Sequence, residues 1–342
     1  MAQPTNRRLR YRSVFWPIML ITIGVLVLLG NLSIFSTENW VALLNMWPLL
    51  LIAIGLDLLF GRGSRVVSAW IGLGTAALMM LIMLIGPALG LAGDWERQTF
   101  TGSVPLEGAS EASVTLNLTL ADTHINALPA SSENLLEADL AYIGGSIVLD
   151  QTGSAHKSVT LEREGPNNAG WLFGILDWFK SDDDLRWNID LSGETPLALY
   201  INFNLGDSNL DLRNLQLSEL RLDGDIGDVT LVLPAVEEQY TVDIDGGLGN
   251  FDITLPEDAD IDISITGGVG EFTIRVPDGA AVRITAKTGI GKINMPNSFD
   301  QIEWHEDVVG ENGIWMTRNF DEAAHQITIA FDGGVGDLNV RQ

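Results

Sequence analysis

Apolar and polar positions follow two different rhythms along this chain. Between Ser13 and Asp94 charges are nearly absent, and three long apolar runs succeed one another: "SVFWPIMLITIGVLVLLG" (13–30), "NWVALLNMWPLLLIAIGLDLLF" (39–60) and "VVSAWIGLGTAALMMLIMLIGPALGLAG" (66–93). A bilayer span needs about 20 apolar residues, so the pattern predicts three transmembrane helices. They fall near 13–30, 39–60 and 66–90, within a membrane region 13–93. From about Thr99 the period drops to two. In "YTVDIDG", Tyr240, Val242 and Ile244 alternate with Thr241, Asp243 and Asp245. Short alternating runs rich in β-branched residues predict strands.

A second pattern lies over the alternation. "DGGLGNFDITLP" (245–256) returns as "TGGVGEFTIRVP" (266–277), and in thinner form as "TGIGKINMP" (288–296) and "DGGVGDLNV" (332–340). Aligning Gly206, Gly227, Gly249, Gly270, Gly291 and Gly336 gives four intervals of 21 or 22 residues and one of 45. Three columns are then apolar throughout. One residue before each glycine stand Leu205, Ile226, Leu248, Val269, Ile290 and Val335. Four after it stand Leu210, Leu231, Ile253, Ile274, Met295 and Val340, and seven before it Leu199, Leu220, Val242, Ile263, Ile284 and Ile329.

Each repeat thus supplies two short strands joined at a glycine corner, where a Cβ would be penalised. Such a unit cannot bury its apolar face alone, but stacked copies can. The expectation is a mainly β fold: an extracytoplasmic parallel β-solenoid of about 21-residue coils over 99–342, with the columns as internal ladders. Val242, Ile263 and Ile284 would then face inward on successive coils, about 4.8 Å apart. An antiparallel sandwich accounts for the alternation but not for columns recurring in one direction. The frame begins at "ASVTLNLTLADTHINALP" (112–129) if Ala121 takes the glycine position, and loops at 164–187 and 297–325 interrupt it.

Glycines beside acidic residues also suggest phosphate or calcium. A phosphate cradle needs a strand, a glycine loop and a helix, whereas each glycine run here leads into another strand. Calcium nonapeptides read GGxGxD; in "GGVGDLNV" Asp337 comes one position early, and the period is 21 rather than nine. The position after each glycine reads Asp207, Asp228, Asn250, Glu271, Lys292 and Asp337, and a lysine does not belong in a calcium ladder. The six glycines are therefore assigned as structural corners, and no metal or cofactor is expected.

Charge and composition narrow the function. The 342 residues include no cysteine, which excludes disulfides and thiolate chemistry, and 19 Lys plus Arg against 45 Asp plus Glu give a net charge of −26. This balance argues against nucleic acid and against anionic lipid. His124, His156, His305 and His325 are scattered, and no serine sits in a nucleophile elbow. The densest set of potential ligands, Glu303, His305, Glu306 and Asp307, has mixed strand parity and reads as a surface loop. No catalytic residue is assigned. Trp171, Phe173, Trp178 and Phe179 crowd one loop and suggest contact with a partner or the membrane interface.

Arg7, Arg8, Arg10 and Arg12 precede the first apolar run, and Arg62 and Arg65 follow the second. The positive-inside rule then makes 1–12 cytoplasmic and, with three spans, places the region after the third outside a multi-pass cell-membrane protein. Asp57, the acidic residue within a proposed span, lies close enough to Arg62 to pair with it or reach the headgroups.

"FWPIMLITIGVLVLLGNL" followed by "NMWPLLLIAIGLDLLFG" resembles the membrane segments of LiaF-type bacterial proteins. "NLLEADL" (134–140), "WNIDLSGETPLALYINFNLGDSNLDLRNLQLSELRLDGDIGDVTLVLP" (187–234) and the glycine repeats resemble their C-terminal domain. That domain belongs to the cell-wall-active antibiotic response family and is similar to toast-rack adhesin-type domains. The resemblance implies a β-solenoid and a role in sensing or restraining envelope stress through a membrane histidine kinase or another envelope protein. It brings no ligand or catalytic residues, and it leaves homo-oligomerisation open. An adhesin or structural scaffold that passes no signal is the alternative.

Overall fold

The computed structural model describes residues 14–91, apart from 33, 36, 62–63 and 90, and residues 97–342, apart from 119–120, 144, 165–184 and 307–309. The chain divides into two compact units, Met1–Glu96 and Arg97–Gln342.

The first unit is helical, with helices Phe15–Asn31, Thr37–Asn45, Trp47–Leu56 and Arg65–Ile85. Phe15, Met19 and Leu26 pack with Met79 and Met83, while Leu20, Ile21, Leu59, Trp70 and Leu84 face outward. Polar groups close the bundle. Ser68 Oγ accepts from the backbone N–H of Val14 and Phe15 at 3.2 Å each, and Asn39 Nδ2 donates to the Met83 carbonyl at 2.6 Å.

The expected three spans and multi-pass topology are corrected here. Among the described helices, only Arg65–Ile85 is long and apolar enough to cross a bilayer. Phe15–Asn31 has 17 residues, about 26 Å at 1.5 Å per residue, short of the roughly 30 Å hydrocarbon core. The second apolar run is broken at Met46. Pro48 stands in the first turn of the helix that restarts at Trp47, and that helix ends in a π-turn, Asp57–Gly61, in which Asp57 is buried. The third run ends its α-helix at Ile85, and Gly86 leads into a 3₁₀ turn, Pro87–Leu89. The arginines at 7, 8, 10, 12 and 62 lie outside the described residues.

The second unit is two facing sheets. One has ten strands in the spatial order 97–105, 134–143, 186–191, 122–127, 208–211, 229–232, 251–254, 272–275, 338–341, 293–294. The other has eleven, in the order 299–306, 311–317, 282–290, 327–335, 261–266, 240–245, 216–226, 196–205, 111–117, 156–164, 146–152. Alternation decides which face is buried. Tyr240, Val242 and Ile244 are inside, as are Ile261, Ile263 and Ile265. The matching columns from the other sheet, Leu210, Leu231, Ile253, Ile274 and Val340, fill the same core.

The expected uniform parallel β-solenoid is corrected in three respects. First, both sheets are mixed: strands 97–105, 134–143, 146–152, 299–306 and 311–317 make antiparallel pairs, whereas the central tracts and the edge strand 293–294 pair parallel. Second, chain order is not spatial order. The strand Ile327–Val335 inserts between Ile261–Thr266 and Val282–Ile290, so Ile329 pairs with both Ile263 and Ile284. Third, one of the three apolar columns is not internal.

Candidate interaction surface at the glycine corners

The six glycines sit where the chain passes from one sheet to the other, with φ between +137° and +154°. A side chain is strained there, and the stacking excludes one as well: a Cβ on Gly270 would collide with the Gly249 carbonyl. The glycine N–H groups link successive rungs. Gly227, Gly249 and Gly270 donate to the carbonyls of Leu248, Val269 and Val335 at 2.9, 3.0 and 3.0 Å.

The position after each glycine has a structural task. At Asp207, Asp228, Asn250 and Asp337 the side-chain oxygen accepts the backbone N–H of the same position in the next rung. Asp207 Oδ1 takes the N–H of Asp228 at 3.0 Å, Asp228 that of Asn250 at 2.8 Å, and Asn250 that of Glu271 at 3.0 Å. Asp337 Oδ1 takes the N–H of Lys292 at 2.8 Å. Lys292 precedes the edge strand Ile293–Asn294, beyond which this sheet continues no further. With no further rung to cap, the column tolerates a lysine. No group of three or more His, Asp or Glu suited to a metal occurs among the described residues.

The column before each glycine was expected inside and is outside. Ile226, Leu248, Val269, Val335 and Ile290 are 45–54% exposed. Bridges run Ile226 to Leu248, Leu248 to Val269 and Val269 to Val335, and Ile290 pairs with Val335, so the five form one continuous ridge. Leu205, half-buried, extends it beyond Ile226. Buried aromatic rings fill the corner from within. Phe251 and Phe272 stack at 4.8 Å with planes 4° apart, and Phe331 meets Phe272 edge-on at 5.2 Å. The Phe272 ring tip lies 2.9 Å from where a Cβ on Gly246 would stand, too close for a side chain there.

The other candidates lie apart from this ridge. Trp171, Phe173, Trp178 and Phe179 are outside the described residues. The segment expected as a loop at 297–325 forms a hairpin, Phe299–Glu306 and Glu311–Thr317, at the edge of the eleven-stranded sheet. Glu303 and His305 are exposed on its outer strand, whereas Trp315 is buried. His156 and His325 are tied to Glu111 and Asp260 at 2.9 and 3.2 Å. One feature had no sequence signal: Lys157 is buried, with Nζ donating to the Pro105 carbonyl at 2.5 Å and to Glu107 at 2.9 Å.

The architecture is that of an apolar helical unit followed by a two-sheet β domain built on glycine corners. Residues 15–97 match the LiaF transmembrane domain, and residues 93–254 match the N-terminal domain of toast_rack. The chain therefore joins a LiaF-type transmembrane domain to a toast-rack-type β domain, and it is membrane-associated. Both matched families are non-catalytic. A "putative cell adhesion protein" from Clostridium sporogenes aligns at 17% identity over 72% of this chain and 100% of its own, with a TM-score of 0.46. A "putative adhesin" from Bacteroides fragilis aligns at 11% identity over 72% of this chain and 97% of its own, with a TM-score of 0.28. No curated protein matches the chain.

Proposed function

We propose that this chain is a non-enzymatic envelope protein in which a membrane-held helical unit carries a binding domain on the outer side. Through a membrane partner such as a histidine kinase, it reports envelope stress. The observation that carries this reading is the junction itself: a LiaF-type membrane domain runs directly into a β domain with an exposed apolar ridge. A contiguous row of exposed apolar side chains is the feature of this domain that offers a contact surface. The corner glycines serve that surface by holding the rungs in register. A scaffold or adhesin that passes no signal inward is the second reading, favoured by the resemblance of the β domain to adhesin-type domains.

Crosslinking in the native membrane, combined with deletion of the gene, separates the two. A reproducible kinase partner together with altered envelope-stress transcription supports sensing. Unchanged transcription with failed cell contacts or envelope assembly overturns it in favour of the scaffold.

A further inference from the structure

We propose that the corner ridge is the docking surface for a basic amphipathic helix of a partner protein. The inference goes beyond the reading above, because it concerns what the ridge binds and holds whether or not a signal follows.

The ridge has a definite shape. Six rungs from Leu205 to Ile290 at about 4.8 Å make an apolar line about 24 Å long. Its backbone is already occupied: the carbonyls of Leu248, Val269 and Val335 accept from corner glycines, and the N–H groups of Val269 and Val335 donate to Gly247 and Gly268. No strand edge is on offer there, so a partner must bind by side-chain packing rather than by adding a strand. A helix rising 1.5 Å per residue covers 24 Å in about 16 residues, with its i, i+3, i+4, i+7 stripe along the ridge.

Charge selects the helix. Three residues before Ile226, Leu248 and Val335 stand Asp223, Asp245 and Asp332, all exposed. Two residues after Ile226 and Val335 stand Asp228 and Asp337, also exposed. Lys287 and Lys292 take the same two positions beside Ile290, so the apolar line runs between two rows that are acidic around Ile226, Leu248 and Val335 and basic at the Ile290 end. Asp223 and Asp245 face each other in register across parallel strands, an arrangement of like charges that costs stability. A partner with Lys or Arg on both sides of its apolar stripe relieves that repulsion.

The same features weigh against other occupants. A second copy docked by this face would set acidic rows against acidic rows. An anionic bilayer is repelled by both rows.

The test uses the full chain in nanodiscs of zwitterionic phosphatidylcholine and an 18-residue Leu/Lys amphipathic helical peptide as probe. Fluorescence anisotropy is read against empty nanodiscs, with a Leu/Glu peptide of the same pattern as control. The double variant Leu248→Asp, Val269→Asp alters exposed positions only, and an unchanged thermal transition verifies its fold. Asp223→Lys, Asp245→Lys is a second variant that leaves the ridge intact. The expected result is saturable binding of the Leu/Lys peptide, at least ten-fold weaker with either variant and with the Leu/Glu peptide. Equal affinity for wild type and both variants overturns the proposal. So does a photo-crosslinker in place of Leu248 that reacts chiefly with lipid or with a second copy of the chain.

Discussion

Ile263 and Ile284, 21 residues apart in the chain, are separated in the sheet by Ile329, which is in register with both. The first strand of the last repeat, Ile327–Val335, is therefore a central one. It follows that Ile329→Ala removes packing on both sides and should cost about 2–5 kcal/mol, as Ile263→Ala does. Urea unfolding of the β unit within the full chain measures both. A loss under about 1 kcal/mol at Ile329 would place that strand at an edge instead.

The corner glycines make a sharper demand than helix or strand glycines. Gly270→Ala should cost at least about 1–3 kcal/mol from backbone strain alone, and more from collision with the Gly249 carbonyl. Gly55, around which a Cβ meets nothing within 4 Å, is the control. Gly55→Ala should be neutral or slightly stabilising in the same thermal melt.

Asp228 accepts the N–H of Asn250 at 2.8 Å, which gives this aspartate a task without any metal. Asp228→Asn keeps an acceptor and should change stability by less than about 0.5 kcal/mol, whereas Asp228→Ala should lose about 0.5–1.5 kcal/mol. Adding EDTA or calcium should leave the melting temperature of all three proteins unmoved. A calcium-dependent rise in the wild type, abolished in Asp228→Asn, would restore the calcium reading.

Asp260 provides a pH dependence. The Gln326 N–H at 2.8 Å, and secondarily His325 at 3.2 Å, hold its carboxyl below the ordinary value. A depressed folded value contributes stability that is present above the unfolded pKa, about 3.9, and is lost as pH falls through the lower folded value. Wild type should therefore be more stable than Asp260→Asn at pH 6, and the gap should close as pH falls through the lowered folded value. Urea midpoints across that range check it. A gap that stays constant with pH would assign the difference to packing rather than to the charge.

Period-two alternation made the inward residues legible, because Val242, Ile263 and Ile284 depend only on which face of a strand is apolar. The order of the strands was not legible. An interval of 45 residues between Gly291 and Gly336 does not say that the final strand slots back between two earlier ones. The exposure of Val269 was hidden for a different reason. Its apolar character matches the core columns, whereas in the structure the buried rings of Phe251 and Phe272 occupy the inner side of the corner. Apolar run length likewise concealed the break at Met46 and Pro48, which is a matter of helix geometry rather than hydropathy.

The central claim is that each glycine phrase divides the chain into a buried ladder and an outward ridge. The most direct measurement is paired denaturant unfolding of Ile263→Asp and Val269→Asp in the full chain. Ile263 is 3% exposed and Val269 is 48% exposed. An aspartate at 263 would bury an unpaired charge and should abolish cooperative folding or cost several kcal/mol, about 4 or more. An aspartate at 269 should stay within about 0.5 kcal/mol of wild type. Comparable large losses at both positions would contradict the account, because the column before the glycines would then belong to the core.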